Sequence, residues 1–260
     1  MNTFWLIPNV IGYFRGLLLI IFILTCTSNV FYIYSHSKLT IRLIGIIAYI
    51  VSYSLDAVDG PVARSLGQCS RFGSLLDMCL DRASSASLIL VASRQSTSHG
   101  MYNGWIATLG ALCMALDIVS HYACMYVTSQ LGLSSHKDIA KQGNEKSDKQ
   151  GNDRQSLVSR LSLLLLCMYY GGARMFMLSL CIGNEAFWLL RLILSEYSHS
   201  TAYRETMLNT GIFSFIHSLV VGLMVMKQLV HVIQLVFACR LLANLDDQER
   251  ADRIKHKKHT

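Results

Sequence analysis

The chain has 260 residues, 52% of them hydrophobic and only 15% charged, with a formal net charge of +7. A soluble domain carries about 25% charged residues, so this composition excludes an ordinary water-soluble globule and predicts an integral membrane protein. Only two prolines occur, which argues against a loop-rich or all-β design and for long helices.

A bilayer core about 30 Å thick needs roughly 20 helical residues to cross. Six runs fit that requirement, at about 10–34, 39–57, 74–93, 104–130, 173–194 and 209–244. The expected fold is an all-α bundle of about six transmembrane helices over residues 1–245, followed by a polar basic tail over 246–260. The first run lacks the basic start and small-residue cleavage site of a signal peptide and is expected to be a retained span. Pro8 suits the first turn of its helix, and Gly12 and Gly16 suit a close helix-packing face. Arg15 reads either as a snorkelling cation or as a phosphate contact.

Between the second and third runs, Gly60, Pro61 and Gly67 predict a turn over Gly60–Phe72. Residues 157–170 are apolar but short, as in an interfacial or re-entrant helix. Residues 134–156 are polar, mixed in charge and low in complexity, so a flexible loop is expected there. The sixth run is long enough to continue as a helix beyond the bilayer. Eight cysteines are scattered, mostly within apolar runs and without a CxxC pair, which predicts packing rather than a disulfide framework or a zinc site.

Lysine and arginine concentrate in the 57–72 linker, the 131–160 loop and the tail. The positive-inside rule then places those segments and both termini in the cytosol. Attraction to anionic lipid headgroups explains the net charge better than a nucleic-acid partner does.

Four aspartates flank the second junction. Asp56 and Asp59 are spaced i,i+3, and Asp77 and Asp81 are spaced i,i+4, so each pair shares a helix face. An aspartate at the centre of a spanning helix costs about 2.5–3.5 kcal/mol; four of them must face a protected polar site. Two such faces meeting at one end of the bundle would gather four mutually repelling carboxylates. Mg²⁺ or Mn²⁺ removes that conflict, because both take hard oxygen ligands. Two ions about 3.5–4 Å apart would suit phosphoryl transfer. Helix-end capping by solvated carboxylates is the plainer alternative, and a cation transporter or channel is the alternative of another class.

The stretch reads Asp56-x2-Asp59-Gly60-x2-Ala63-Arg64-x8-Gly73-x3-Asp77-x3-Asp81, eight fixed residues over 26 positions. It resembles the signature of the CDP-alcohol phosphatidyltransferases with no position missing. The resemblance implies that Asp56, Asp59, Asp77 and Asp81 hold the metal ions and that Asp81 is the general base. It further implies that Gly60, Ala63, Arg64, Gly73 and Asn9 meet the CDP-diacylglycerol. The segments IPNVIGYFR, SLGQCSRFGSLLDMCLDR, LDIVSHY, SSHK and CIGNEAF resemble the inositol-using eukaryotic branch of that family, in the same order along nearly the whole chain. The implied reaction joins the phosphatidyl group of CDP-diacylglycerol to myo-inositol, releasing CMP, by direct attack. Glycerol 3-phosphate or serine would be the acceptor in a sibling enzyme, and a homodimer is what the family suggests.

Weaker expectations complete the reading. Asp117 and His121, spaced i,i+4, are either a buried pair or part of the headgroup pocket. His136, Lys137 and Arg174 are further headgroup candidates. Asn184 and Glu185 interrupt the fifth run, where Arg174 or Arg191 could pair with the glutamate. The terminal Lys257-Lys258-His259-Thr260 resembles a dilysine retrieval signal of the endoplasmic reticulum membrane (a Golgi location is compatible), with a basic tail lying on anionic lipid as the alternative.

Overall fold

The computed structural model describes residues 2–27, 38–96, 104–131, 174–197 and 211–259. Six long helices cover nearly all of them: α1 (Ile7–Thr27), α2 (Lys38–Ser65), α3 (Arg71–Ser96), α4 (Gly104–Gln130), α5 (Arg174–Tyr197) and α6 (Gly211–His259). A 3₁₀ turn, Thr3–Trp5, precedes α1, and no strand occurs among the described residues. All but α3 are long and apolar enough to cross a membrane, five helices in all. The chain is therefore a multi-pass membrane protein. Large apolar side chains point outward along these helices, among them Ile47, Leu112, Trp105 and Phe215. Polar residues such as Asn9, Arg15, Asp59 and Gln234 are buried, since polar side chains within spanning helices are costly against lipid.

The chain divides into two compact units, Met1–Ala111 and Leu112–Thr260. In the first, α1 is built around one inward stripe: Pro8, Gly12, Arg15, Leu19, Phe22 and Cys26 are buried at alternating spacings of four and three. That period is the one a helix uses to keep a single face inward. Two glycines bring its neighbours close. A Cβ at Gly12 would lie 2.8 Å from Leu76 Cδ2 of α3, so the Gly12/Gly16 face packs within the chain. At Gly45 of α2 a Cβ would lie 3.0 Å from Cys26 Sγ and closer still to Thr25 Oγ1. Thr25 is held there, donating to the Ile21 carbonyl at 2.7 Å. Gly45→Ala is therefore expected to destabilise the protein by about 1–3 kcal/mol, read as a lowered thermal midpoint in detergent; an unchanged midpoint would show that α1 and α2 can move apart freely.

One expectation needs correction. The segment Gly60–Phe72 is not all turn: α2 runs through Gly60 and Pro61 and ends only at Ser65. Pro61 lies close to the helix end. Gly60, lacking a Cβ, relieves the clash that usually forces the residue before proline out of the helical region. The stop itself comes from Gly67, whose φ of 61° suits glycine. The Gly67 amide donates to the Arg64 carbonyl at 3.3 Å and the Gln68 amide to the Ala63 carbonyl at 2.8 Å, the paired bonds of a Schellman ending. Ser70 then caps α3, its Oγ accepting from the Gly73 amide at 3.0 Å. The third run forms a helix, as expected. The helix α3 is 26 residues long, but Asp77, Asp81, Arg82 and Arg94 keep it out of the apolar set.

The start of α1 is tied to this junction. The Ile7 amide donates to Gln68 Oε1 at 3.0 Å, and the Phe4 and Phe72 rings meet edge to face at 4.9 Å. In the second unit, α5 packs on α6 through Leu180 and Val230. Cys124 and Val127 of α4 pack against Ala238 and Leu241 of α6. The helix α6 continues unbroken through residue 245 into the tail, as its length predicts. The expected loop at 134–156 and the short apolar segment at 157–170 lie outside the described residues.

Candidate active site

The four aspartates converge. Asp56 and Asp59 sit on one face of α2, about two turns before its end, and Asp77 and Asp81 on one face of α3, in its second and third turns. Asp56, Asp59 and Asp77 each place a carboxylate oxygen within 4.8 Å of the others'. The Arg15 guanidinium of α1 lies among all four. Its Nη1 donates to Asp59 Oδ2 at 2.5 Å and to Asp77 Oδ1 at 2.9 Å. Its Nη2 pairs with Asp56 Oδ1 at 2.5 Å and Asp81 Oδ1 at 2.8 Å. Ser52 Oγ of α2 donates to the Arg15 carbonyl at 3.1 Å, which fixes the helical register that aims the side chain.

Exposure is uneven across the cluster. Arg15 is 2% exposed and the Asp59 side chain 10%, whereas the Asp77 side chain is 47% exposed. Arg15 and Asp59 form a floor, and Asp56, Asp77 and Asp81 form the rim from which a ligand can approach. The donor set fits a hard divalent cation: the oxygens are carboxylate, they come from two helices, and they bound a gap of ionic size.

The residues around the rim divide into two kinds. At Gly60, an added Cβ would meet nothing nearer than Arg64 Nη1 at 3.4 Å. Packing within the chain therefore does not demand glycine there, and space is left beside the cluster. Arg64 is exposed and Ala63 half-buried on the last turn of α2. Gly73 is different, because its Cβ would lie 2.7 Å from Asn9 Oδ1. Asn9 is buried, its Nδ2 donating to the Thr3 carbonyl at 2.6 Å. Asn9 and Gly73 thus lock α1 to α3 at the mouth of the site.

The second unit holds a separate polar set. Asp117 of α4 is buried in a spanning helix, with His121 Nδ1 3.4 Å from its Oδ1 and His231 Nε2 of α6 at 3.2 Å. The two imidazole rings meet edge to face at 5.3 Å. Sequence reasoning paired Asp117 with His121 but passed over His231, a lone histidine in an apolar run. Asn184 lies beside Glu185, and its Oδ1 accepts from Gln228 Nε2 of α6 at 3.1 Å. Lys227 Nζ donates to Cys181 Sγ at 3.1 Å. The candidates His136 and Lys137 lie outside the described residues, as does the side chain of Arg174.

An acidic site shared by two neighbouring helix ends, in an all-helical membrane chain, defines a class. Residues 5–146 match the family model of the CDP-alcohol phosphatidyltransferases, and the chain belongs to that family. Among its relatives, the CDP-diacylglycerol–inositol 3-phosphatidyltransferase of Homo sapiens is 32% identical, over 96% of this chain and 97% of its own length. The enzyme of the same name from Saccharomyces cerevisiae is 31% identical, over 98% of this chain and 93% of its own length. CDP-diacylglycerol–inositol 3-phosphatidyltransferase 1 of Arabidopsis thaliana is 30% identical, over 96% and 94%. No solved structure matches the chain.

Proposed function

We propose that the chain is a phosphatidylinositol synthase, transferring the phosphatidyl group of CDP-diacylglycerol to myo-inositol and releasing CMP. One observation carries the reading. The four aspartates of the family signature surround a single point, in a chain whose similar relatives bear that enzyme's name over nearly their full length.

Asp56, Asp59 and Asp77, joined by Asp81, would hold Mg²⁺ or Mn²⁺, in keeping with a pair of ions. Such ions supply neutralisation of the diphosphate and of the charge that develops on departing CMP. Arg64, exposed at the end of α2, meets the diphosphate oxygens, for which a guanidinium is well shaped. Gly60 and Ala63 leave the nucleotide room beside the backbone, and Asn9 and Gly73 keep the mouth of the site in shape. Asp81 takes the proton of the attacking inositol hydroxyl. That oxygen bonds to the phosphorus bearing the diacylglycerol, and the bond from that phosphorus to the bridging oxygen breaks, so the oxygen leaves with CMP. The chain's task is to position and to stabilise charge; no covalent intermediate is required.

Asp117 and His121, with His231 beside them, are assigned to recognition of the polyol, as are His136, Lys137 and Arg174. Hydroxyl groups suit such mixed donors and acceptors. Counting α3 as a crossing gives six spans and puts both termini on one side, which the lysine and arginine distribution assigns to the cytosol. The terminal lysines then fit retention in the endoplasmic reticulum membrane, and a homodimer is the assembly that suits the family.

The test is to give membranes containing the chain CDP-diacylglycerol and Mn²⁺ with labelled myo-inositol, glycerol 3-phosphate or serine in parallel. Label is expected in lipid from inositol alone, with an equal amount of CMP and none after chelation. Incorporation of glycerol 3-phosphate or serine instead would assign the chain to a sibling activity. Cation flux into vesicles without CMP release would point to a transporter.

A further inference from the structure

The Arg15 guanidinium occupies the gap in which a divalent ion would sit. The carboxylate oxygens of Asp56, Asp59 and Asp77 lie within 4.8 Å of one another. Arg15 Nη1, at 2.5 Å from Asp59 and 2.9 Å from Asp77, lies between two of the three groups. An ion held by the same carboxylates at about 2.1 Å, the distance magnesium requires, would need that space and those lone pairs. Two cations cannot share it without direct repulsion.

The charge count points the same way. Counted as fully ionised, four carboxylates and one guanidinium sum to −3, whereas two divalent ions would balance the four carboxylates fully. Arg15 is thus sufficient to hold the aspartates together and insufficient to neutralise them. Its position is not accidental. It stands in the buried stripe of α1, its carbonyl is pinned by Ser52, and its side chain is almost wholly buried. Its Nε has no hydrogen-bond partner among the described residues, so the side chain is held chiefly by the aspartates.

We infer that Arg15 is a resident cation of the acidic site: it holds the four aspartates in register while no metal is bound, and it yields that place when divalent ions enter. The inference rests on the metal-binding reading of the cluster. Arg15 in this role is a positioning residue, and its cost is that every incoming ion must displace it.

The experiment compares full-length wild type, Arg15→Gln and Arg15→Lys in the same detergent. Magnesium affinity is measured by calorimetry, and the thermal midpoint is recorded with and without Mg²⁺. For Arg15→Gln the inference expects magnesium to bind at least tenfold more tightly than in wild type. Its metal-free midpoint should fall, and its gain in midpoint on adding Mg²⁺ should exceed that of wild type. Arg15→Lys, whose single ammonium cannot reach four carboxylates, should fall between the two in affinity, and it decides the matter if the glutamine variant does not fold. Unchanged or weaker magnesium binding in the variants would overturn the inference and make Arg15 a partner of the ions rather than their competitor. Absence of magnesium uptake by wild type would remove the metal-binding reading itself, and the inference with it.

Discussion

Replacing Asp81 by Asn is expected to lower kcat by about 10²–10⁴-fold, the range for loss of a general base, while the affinity for CDP-diacylglycerol should stay close to that of wild type. The separation follows from the geometry. Asparagine keeps the size of the side chain and one oxygen acceptor, so in the metal-free cluster it can still receive the Arg15 Nη2 hydrogen bond that Asp81 Oδ1 accepts at 2.8 Å, and the site should assemble as in wild type. The floor of the site and the proposed grip on the nucleotide should remain, and what is lost is the group proposed to accept the inositol proton. A fall in kcat without a matching change in substrate affinity is the signature of an interaction made in the transition state. Steady-state kinetics together with equilibrium binding of CDP-diacylglycerol measure both quantities. A variant with nearly normal kcat would remove Asp81 from proton transfer.

The second large effect is expected at Asp59, for another reason. Asp59 is the most buried of the four carboxylates, on the floor beside Arg15. Asp59→Asn removes one negative donor from the most buried part of the proposed metal site. A bound divalent ion supplies several kcal/mol of transition-state stabilisation, and about 4 kcal/mol corresponds to roughly 10³-fold in rate. Turnover is therefore expected to fall by about 10³-fold or more, with magnesium affinity falling alongside it. That parallel loss distinguishes Asp59 from Asp81. Loss of turnover with unaltered metal affinity would show that Asp59 acts on something other than the ion.

The parts of this site that could be read from the chain are those encoded locally. The i,i+3 spacing of Asp56 and Asp59 and the i,i+4 spacing of Asp77 and Asp81 place each pair on one face wherever a helix exists. The hydropathy of the flanking runs makes the helices. Arg15 could not be resolved in the same way. Its partners lie 44 residues away at Asp59 and 66 at Asp81, so nothing in its neighbourhood distinguishes a snorkelling arginine from a buried one. The available signal was its register: it shares the four-and-three spacing of Gly12, Leu19 and Phe22, the face that packs inward. His231 was missed for the same reason, since its partner Asp117 comes from a different helix. The end of α2 was misread because Gly60 and Pro61 are strong local turn signals. The helix passes through them and stops at Gly67, where a left-handed backbone is needed.

The whole account depends on the acidic site holding divalent ions, and manganese paramagnetic resonance reads that directly. The full-length protein in detergent is titrated with Mn²⁺ and compared with Asp77→Asn. Wild type is expected to remove free Mn²⁺ from solution, with excess Mg²⁺ releasing it again, and Asp77→Asn should leave most of the ion free. Equal retention by both proteins, or no retention by wild type, would contradict the account.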